Sequence, residues 1–162
     1  MTTAHDFTFA KLDAPGEIKL SDYAGKAILV VNVASACGFT PQYRDLEALY
    51  ESKAEKGLVV IGVPCNDFGA QEPGDEHAIH EFCDSKYHVK FPMTGKVEIV
   101  NSDRRHPFYD WIAHELGEGA LPRWNFHKIL IGKDGALVDT FNAKAAPLGP
   151  QMLGAIKEAL TS

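Results

Sequence analysis

The stretch Ala27-Ile28-Leu29-Val30-Val31-Asn32-Val33 is the one on which the fold turns. It is apolar and β-branched, it follows Gly25, and it has the length of a strand buried on both faces. A second run of the same kind, Leu58 to Val63, follows Gly57. Burial on both faces favours parallel neighbours, and parallel strands need a crossover between them. The intervening residues supply one. Thr40 is placed to cap a helix with Pro41 at its first position, Tyr43, Leu46, Leu49 and Tyr50 recur at helical spacing, and Lys53, Lys56 and Gly57 close it. Together these segments make a βαβ unit.

Downstream, Asp75 is a cap for a second helix carrying Ile79, Phe82, Cys83 and Tyr87 on one face, and His106 to Glu115 reads as a third. Phe126 to Ile131 and Ala136 to Phe141 flank Lys133-Asp134-Gly135, whose Asp-Gly supplies the positive-φ turn of an antiparallel hairpin. A last helix spans about Leu148 to Leu160. This order places an antiparallel edge on a parallel core with helices on both faces. The fold class expected is α/β, a thioredoxin-like sandwich with a central mixed sheet, formed as a single domain over residues 1–162.

Composition bounds the function. With 162 residues, 45% hydrophobic and 23% charged, the chain can bury a core without disulfide staples. Sixteen Lys and Arg against 22 Asp and Glu give a net charge of −6, which repels phosphate backbones and anionic lipid, so no nucleic-acid partner is expected. The first ten residues lack a basic segment followed by an apolar one, and the Ala27 to Val31 run is far short of a bilayer span, so no integral membrane association and a cytoplasmic location are expected. Three cysteines, Cys37, Cys65 and Cys83, are an odd number at long spacings, which disfavours a structural disulfide framework.

Cys37 lies in the turn between the first buried strand and its helix, in a stretch from Ala27 to Tyr43 without one charged residue. Loops at the carboxyl ends of parallel strands host ligand sites. A helix start offers unpaired N–H groups and partial positive charge, which favour thiolate over thiol. In Cys37-Gly38-Phe39-Thr40 a Thr stands where a dithiol oxidoreductase carries its second Cys, so a local dithiol exchange is impossible. Oxidation must stop at sulfenic acid or be resolved by a distant thiol, and peroxide reduction fits that chemistry.

Asn32-Val33-Ala34-Ser35-Ala36-Cys37-Gly38-Phe39-Thr40 resembles the signature around the catalytic cysteine or selenocysteine of the glutathione peroxidase family. Val63 to Gly74, containing Pro64-Cys65-Asn66-Asp67-Phe68-Gly69-Ala70-Gln71-Glu72-Pro73, resembles its second motif, and Arg123-Trp124-Asn125-Phe126 its third. The similarity runs from about Phe7 to the final helix. It implies a thioredoxin-like fold and a thiol-dependent peroxidase acting on hydrogen peroxide and organic hydroperoxides. By position it makes Cys37 the peroxidatic residue, with Gln71, Trp124 and Asn125 completing a tetrad of neutral donors for thiolate and departing hydroxide.

The resemblance also implies that Cys83 is the resolving thiol, forming a disulfide with Cys37 that thioredoxin reduces, with glutathione as the other candidate donor. A disulfide needs Cα atoms within about 7 Å, so a change of conformation over Glu76 to His88 is expected. Cys65 competes as a resolver but reads as structural. His77, His80 and Cys83 follow one another at i+3 spacing, which is poor tetrahedral geometry, so no metal and no cofactor is expected. His127 is left outside the catalytic set. The chain departs from the family pattern at Asp67, at Ile129 and over Phe141 to Pro147, and the short connection from Trp111 to Trp124 lacks the insertion used by tetrameric members, which implies a monomer. The alternative function is a peroxide sensor that passes its disulfide to a partner protein.

Overall fold

The computed structural model describes residues Thr2 to Ser162. In chain order the strands and longer helices are β1 (Thr8–Ala10), β2 (Glu17–Lys19), β3 (Ala27–Val33), α1 (Gln42–Lys53), β4 (Leu58–Pro64), α2 (Glu76–Phe82), α3 (Pro107–Leu116), β5 (Lys128–Ile131), β6 (Leu137–Phe141) and α4 (Pro150–Thr161). Four strands form the central sheet in the order β4-β3-β5-β6. β3 pairs parallel with β4 from Ala27↔Leu58 to Val33↔Pro64, antiparallel with β5, and β5 pairs antiparallel with β6. The mixed sheet expected from the βαβ unit and the Asp-Gly hairpin is present.

Two apolar layers cover the sheet, and the period of two along each strand sorts residues between them. Leu29, Val31, Val33, Leu58, Val60 and Leu130 face a layer completed by Tyr43, Leu46 and Leu49 of α1, Ile79 of α2, and Met152 and Ile156 of α4. Ile28, Val30, Val59, Ile61, Val63, Ile129 and Ile131 face the other, completed by Phe108, Tyr109, Trp111 and Ile112 of α3. The β1–β2 hairpin joins this second layer through Phe9 and Ile18. Each of those strands is three residues long with one buried side chain, too short to show a period in the sequence.

Several boundaries differ from the sequence expectation. α1 begins at Gln42, and its entry through Phe39 to Pro41 is a tighter turn in which Tyr43 N–H bonds the Thr40 carbonyl. The Thr40 hydroxyl therefore does not cap the helix; it turns back toward Cys37. Phe126 takes a left-handed φ of 65°, so the strand starts at Lys128 and His127 stands in the loop before it. His106 caps α3, its Nδ1 accepting the Phe108 N–H at 3.1 Å. Asp75 caps α2 as expected, accepting the Ala78 N–H at 2.9 Å. Cys83 is not inside a regular helix: it opens a π-helical turn, Cys83–Tyr87, that ends at His88 with φ 52°.

Candidate active site

The Cys37 turn is locked by one hydroxyl. Thr40 Oγ1 accepts the Cys37 N–H at 2.9 Å and donates to the Ala34 carbonyl at 2.8 Å. Cys37 Sγ accepts the Phe39 N–H at 3.3 Å, with only 8% of the residue exposed.

Gln71 is brought to this turn by its backbone, its carbonyl accepting the Ala36 N–H at 3.0 Å. Gly69 and Ala70, both left-handed, turn the chain just before it. Asn125 is fully buried and donates Nδ2 to Gln71 Oε1 at 3.0 Å and to the Phe68 carbonyl at 3.1 Å. Both Asn125 N–H groups are thereby engaged, so Asn125 orients Gln71 and leaves the Gln71 amide nitrogen as the donor of the pair. Trp124 is 37% exposed, with its ring edge against Phe68 at a centroid distance of 6.5 Å. Gln71, Trp124 and Asn125 thus meet on one loop pair that is hydrogen-bonded to the Cys37 turn.

Asn32 and Glu72 also hold this site, and the sequence reading gave them no role. At the end of β3, Asn32 Nδ2 donates to the Trp124 carbonyl at 2.9 Å, and the Asn32 carbonyl accepts the Phe126 N–H at 2.6 Å. Glu72 is buried; its Oε1 accepts the Ser35 N–H at 3.2 Å, its own N–H bonds Asn66 Oδ1 at 2.9 Å, and burial pushes its carboxyl above the ordinary range. Both residues lie inside the quoted motifs, but a polar side chain that bonds backbone 37 or 92 positions away leaves no local signal. Asp67 accepts the Ile99 and Val100 N–H groups at 2.6 and 3.0 Å, so its charge anchors that loop.

All three cysteines are free and buried. Cys37 and Cys83 belong to the layer of α1, α2 and α4, whereas Cys65 lies in the layer of α3 across the sheet. Burial pushes the Cys83 thiol up to about 11, an effect partly offset by the Tyr43 hydroxyl beside it, which faces the sulfur without closing a directional hydrogen bond. Cys65 is pushed up to about 12, again by burial. Among the described residues no three His, Cys, Asp or Glu side chains converge on a metal position, and His77 pairs with Asp13 at 2.9 Å. An open cleft of about 470 Å³ is lined by Phe39, Leu121, Trp124, His127, Ala143 and Lys144 among others. No helix among the described residues is long and apolar enough to cross a membrane.

Residues 4–113 match the glutathione peroxidase family model. The chain belongs to the glutathione peroxidase family. This peroxidase is 44% identical to a glutathione peroxidase of Lactococcus lactis over 147 residues, covering 88% of this chain and 91% of that one. It is 47% identical to the hydroperoxy fatty acid reductase Gpx2 of Synechocystis over 137 residues, covering 85% and 86%. The crystal structure of Trgpx in its apo form superposes with a TM-score of 0.78 at 36% identity, covering 99% of this chain and 97% of that one. A thioredoxin-family thiol:disulfide interchange protein of Chlorobium tepidum, at a TM-score of 0.69 and 15% identity over 98% and 96% of the two chains, shares the fold. The fold is therefore thioredoxin-like, and the protein is a thiol-dependent peroxidase, an oxidoreductase that takes a peroxide and a thiol reductant.

Proposed function

We propose that this peroxidase works by two cysteines, Cys37 as the peroxidatic residue and Cys83 as the resolving one. The Cys37 thiolate attacks one peroxide oxygen, the O–O bond breaks, and the departing alkoxide or hydroxide takes a proton, leaving Cys37 as sulfenic acid. Gln71, oriented by Asn125, and the indole of Trp124 stabilise the developing charge. Cys83 then attacks the Cys37 sulfur, water leaves, and a disulfide closes. Thioredoxin, with a dithiol that accepts this disulfide, is the reductant proposed, with glutathione as the lesser donor. The enzyme acts as a monomer. Hydrogen peroxide and organic hydroperoxides are both substrates, the latter with their carbon chain in the cleft beyond Trp124.

One observation carries this reading: Cys37 and Cys83 share an apolar layer, and Cys83 opens a π turn rather than continuing a helix, while Cys65 is on the opposite side of the sheet. π turns are rare departures from regular helix that recur at functional sites. Unwinding Cys83 to His88 also removes the burial that holds the Cys83 thiol protonated, so movement and activation coincide. The test is intact-mass analysis after one equivalent of hydroperoxide. Wild type is expected to lose about 2 Da, mapping to Cys37–Cys83, and Cys83→Ser to trap about +16 Da on Cys37. A disulfide to Cys65, or no oxidation at Cys37, overturns the assignment.

A further inference from the structure

Lys128 is fully buried, an unusual state for an ammonium group. Among the described residues no carboxylate lies within ion-pair distance of it. Its Nζ instead donates to two backbone carbonyls of the segment after β6, Ala145 at 2.7 Å and Ala143 at 3.2 Å. Gln42, the first residue of α1, donates Nε2 to the same Ala143 carbonyl at 2.7 Å. Two side chains from distant parts of the chain thus converge on one loop. That loop lines the cleft: Asn142, Ala143 and Lys144 border it together with Phe39 and Trp124.

The cost of this arrangement is considerable. A charge removed from water without a counter-ion is destabilising, and an apolar side chain of similar length is commonly more stable at such a place. Burial lowers the Lys128 amine to about 8, so it still carries its proton near neutral pH and can hold both carbonyls. A residue that is costly to bury and whose ammonium bonds only the loop bearing the cleft-lining Asn142, Ala143 and Lys144 points to the shape of the cleft as what it serves.

We infer that Lys128 is a positioning residue that fixes the Asn142–Ala145 wall against α1 and so sets how well the cleft receives the carbon chain of an organic hydroperoxide. The effect is directional. Hydrogen peroxide has no chain to place there, and its reaction needs only the Cys37 turn and the Gln71, Trp124 and Asn125 groups beside it. A bulky hydroperoxide must seat its substituent between Trp124 and the wall while its O–O bond reaches Cys37 Sγ, and small errors of placement cost rate steeply.

This inference rests on Cys37 being the peroxidatic residue, and the experiment separates the two. Rates of Cys37 oxidation by hydrogen peroxide and by cumene hydroperoxide are measured by quenched mixing and intact mass for wild type, Lys128→Met and Gln42→Leu. In wild type both peroxides oxidise Cys37; failure there overturns the peroxidase mechanism itself. In Lys128→Met the ratio of the cumene to the hydrogen peroxide rate constant is expected to fall about tenfold, with faster tryptic cleavage after Lys144. Gln42→Leu, which leaves the core lysine in place, is expected to shift the ratio in the same direction by less. A purely structural lysine would lower both rates in proportion. An unchanged ratio in both variants overturns the inference.

Discussion

Asn32 at the end of β3 holds Trp124 by its backbone, donating Nδ2 to the Trp124 carbonyl at 2.9 Å across 92 positions of sequence. The same residue accepts the Phe126 N–H through its own carbonyl. A central strand therefore sets the height of the third motif over the Cys37 turn. Asn32→Leu removes the side-chain bond and leaves a carbonyl without its partner. The expected cost is about 1 to 3 kcal/mol of stability. Cys37 oxidation by hydrogen peroxide should slow at least tenfold, a consequence of misplacing Trp124 and Asn125. Urea unfolding and quenched-flow oxidation check the two effects, and wild-type rates would show that the loop holds itself.

Gly69 is required by the indole. A Cβ at this position would lie 2.7 Å from the Trp124 ring, and the backbone φ of +74° is itself unfavourable for a side chain. Gly69→Ala is expected to push Trp124 outward and to lower the peroxidase rate. A red shift and stronger acrylamide quenching of tryptophan fluorescence should accompany the loss, with buried Trp111 contributing an unchanged component. Full activity with displaced fluorescence would remove Trp124 from the proposed machinery.

Thr40 occupies the position at which a dithiol enzyme would carry its second cysteine, and its hydroxyl bonds both Cys37 N–H and Ala34 carbonyl. Thr40→Val keeps the branched shape and leaves both groups unpaired at a buried site, costing about 1 to 3 kcal/mol. Thr40→Ser should retain most of the activity because it retains both hydrogen bonds. Iodoacetamide kinetics at Cys37 are expected to slow in the Val variant and remain near wild type in the Ser variant. Equal reactivity in the two would mean that the turn is held by backbone bonds alone.

His127 sets an acid limit. Burial, assisted by the neighbouring Lys128 charge, lowers its imidazole from about 6.5 to about 4. Between those values the unfolded chain binds the proton and the folded chain does not, so stability rises with pH across the window and is lost as pH falls toward 4. The full effect is on the order of 3 kcal/mol. His127→Gln should flatten the pH dependence of urea midpoints between pH 6.5 and 4; an equally steep profile in the variant would place the acid sensitivity on other groups.

Much of this architecture was legible in the order of residues because it depends on short-range rules. The continuous β-branched runs at Ala27 to Val33 and Leu58 to Val63, the Asp75 cap and the Asp134-Gly135 turn each act through their neighbours, and each appears where read. The β1–β2 hairpin was illegible because two three-residue strands carry no period. The start of β5 was misplaced because the left-handed turn at Phe126 follows from its long-range bond to Asn32, not from local preference.

By itself the sequence determined a mixed α/β sandwich, a cysteine in the turn after its first buried strand, and the motifs that mark the family. Tertiary structure alone decided which groups act on which. It engaged both Asn125 amide hydrogens and so made it the orienter of Gln71, and it turned Thr40 from a helix cap into the lock of the Cys37 turn. It also set Cys65 behind the sheet from Cys37 and Cys83, and buried Lys128 under the cleft wall. The physical reason is common to all four. Helix and strand preferences are summed over a few neighbouring residues, whereas the partner of a buried polar atom or thiol is chosen by packing between segments far apart in the chain.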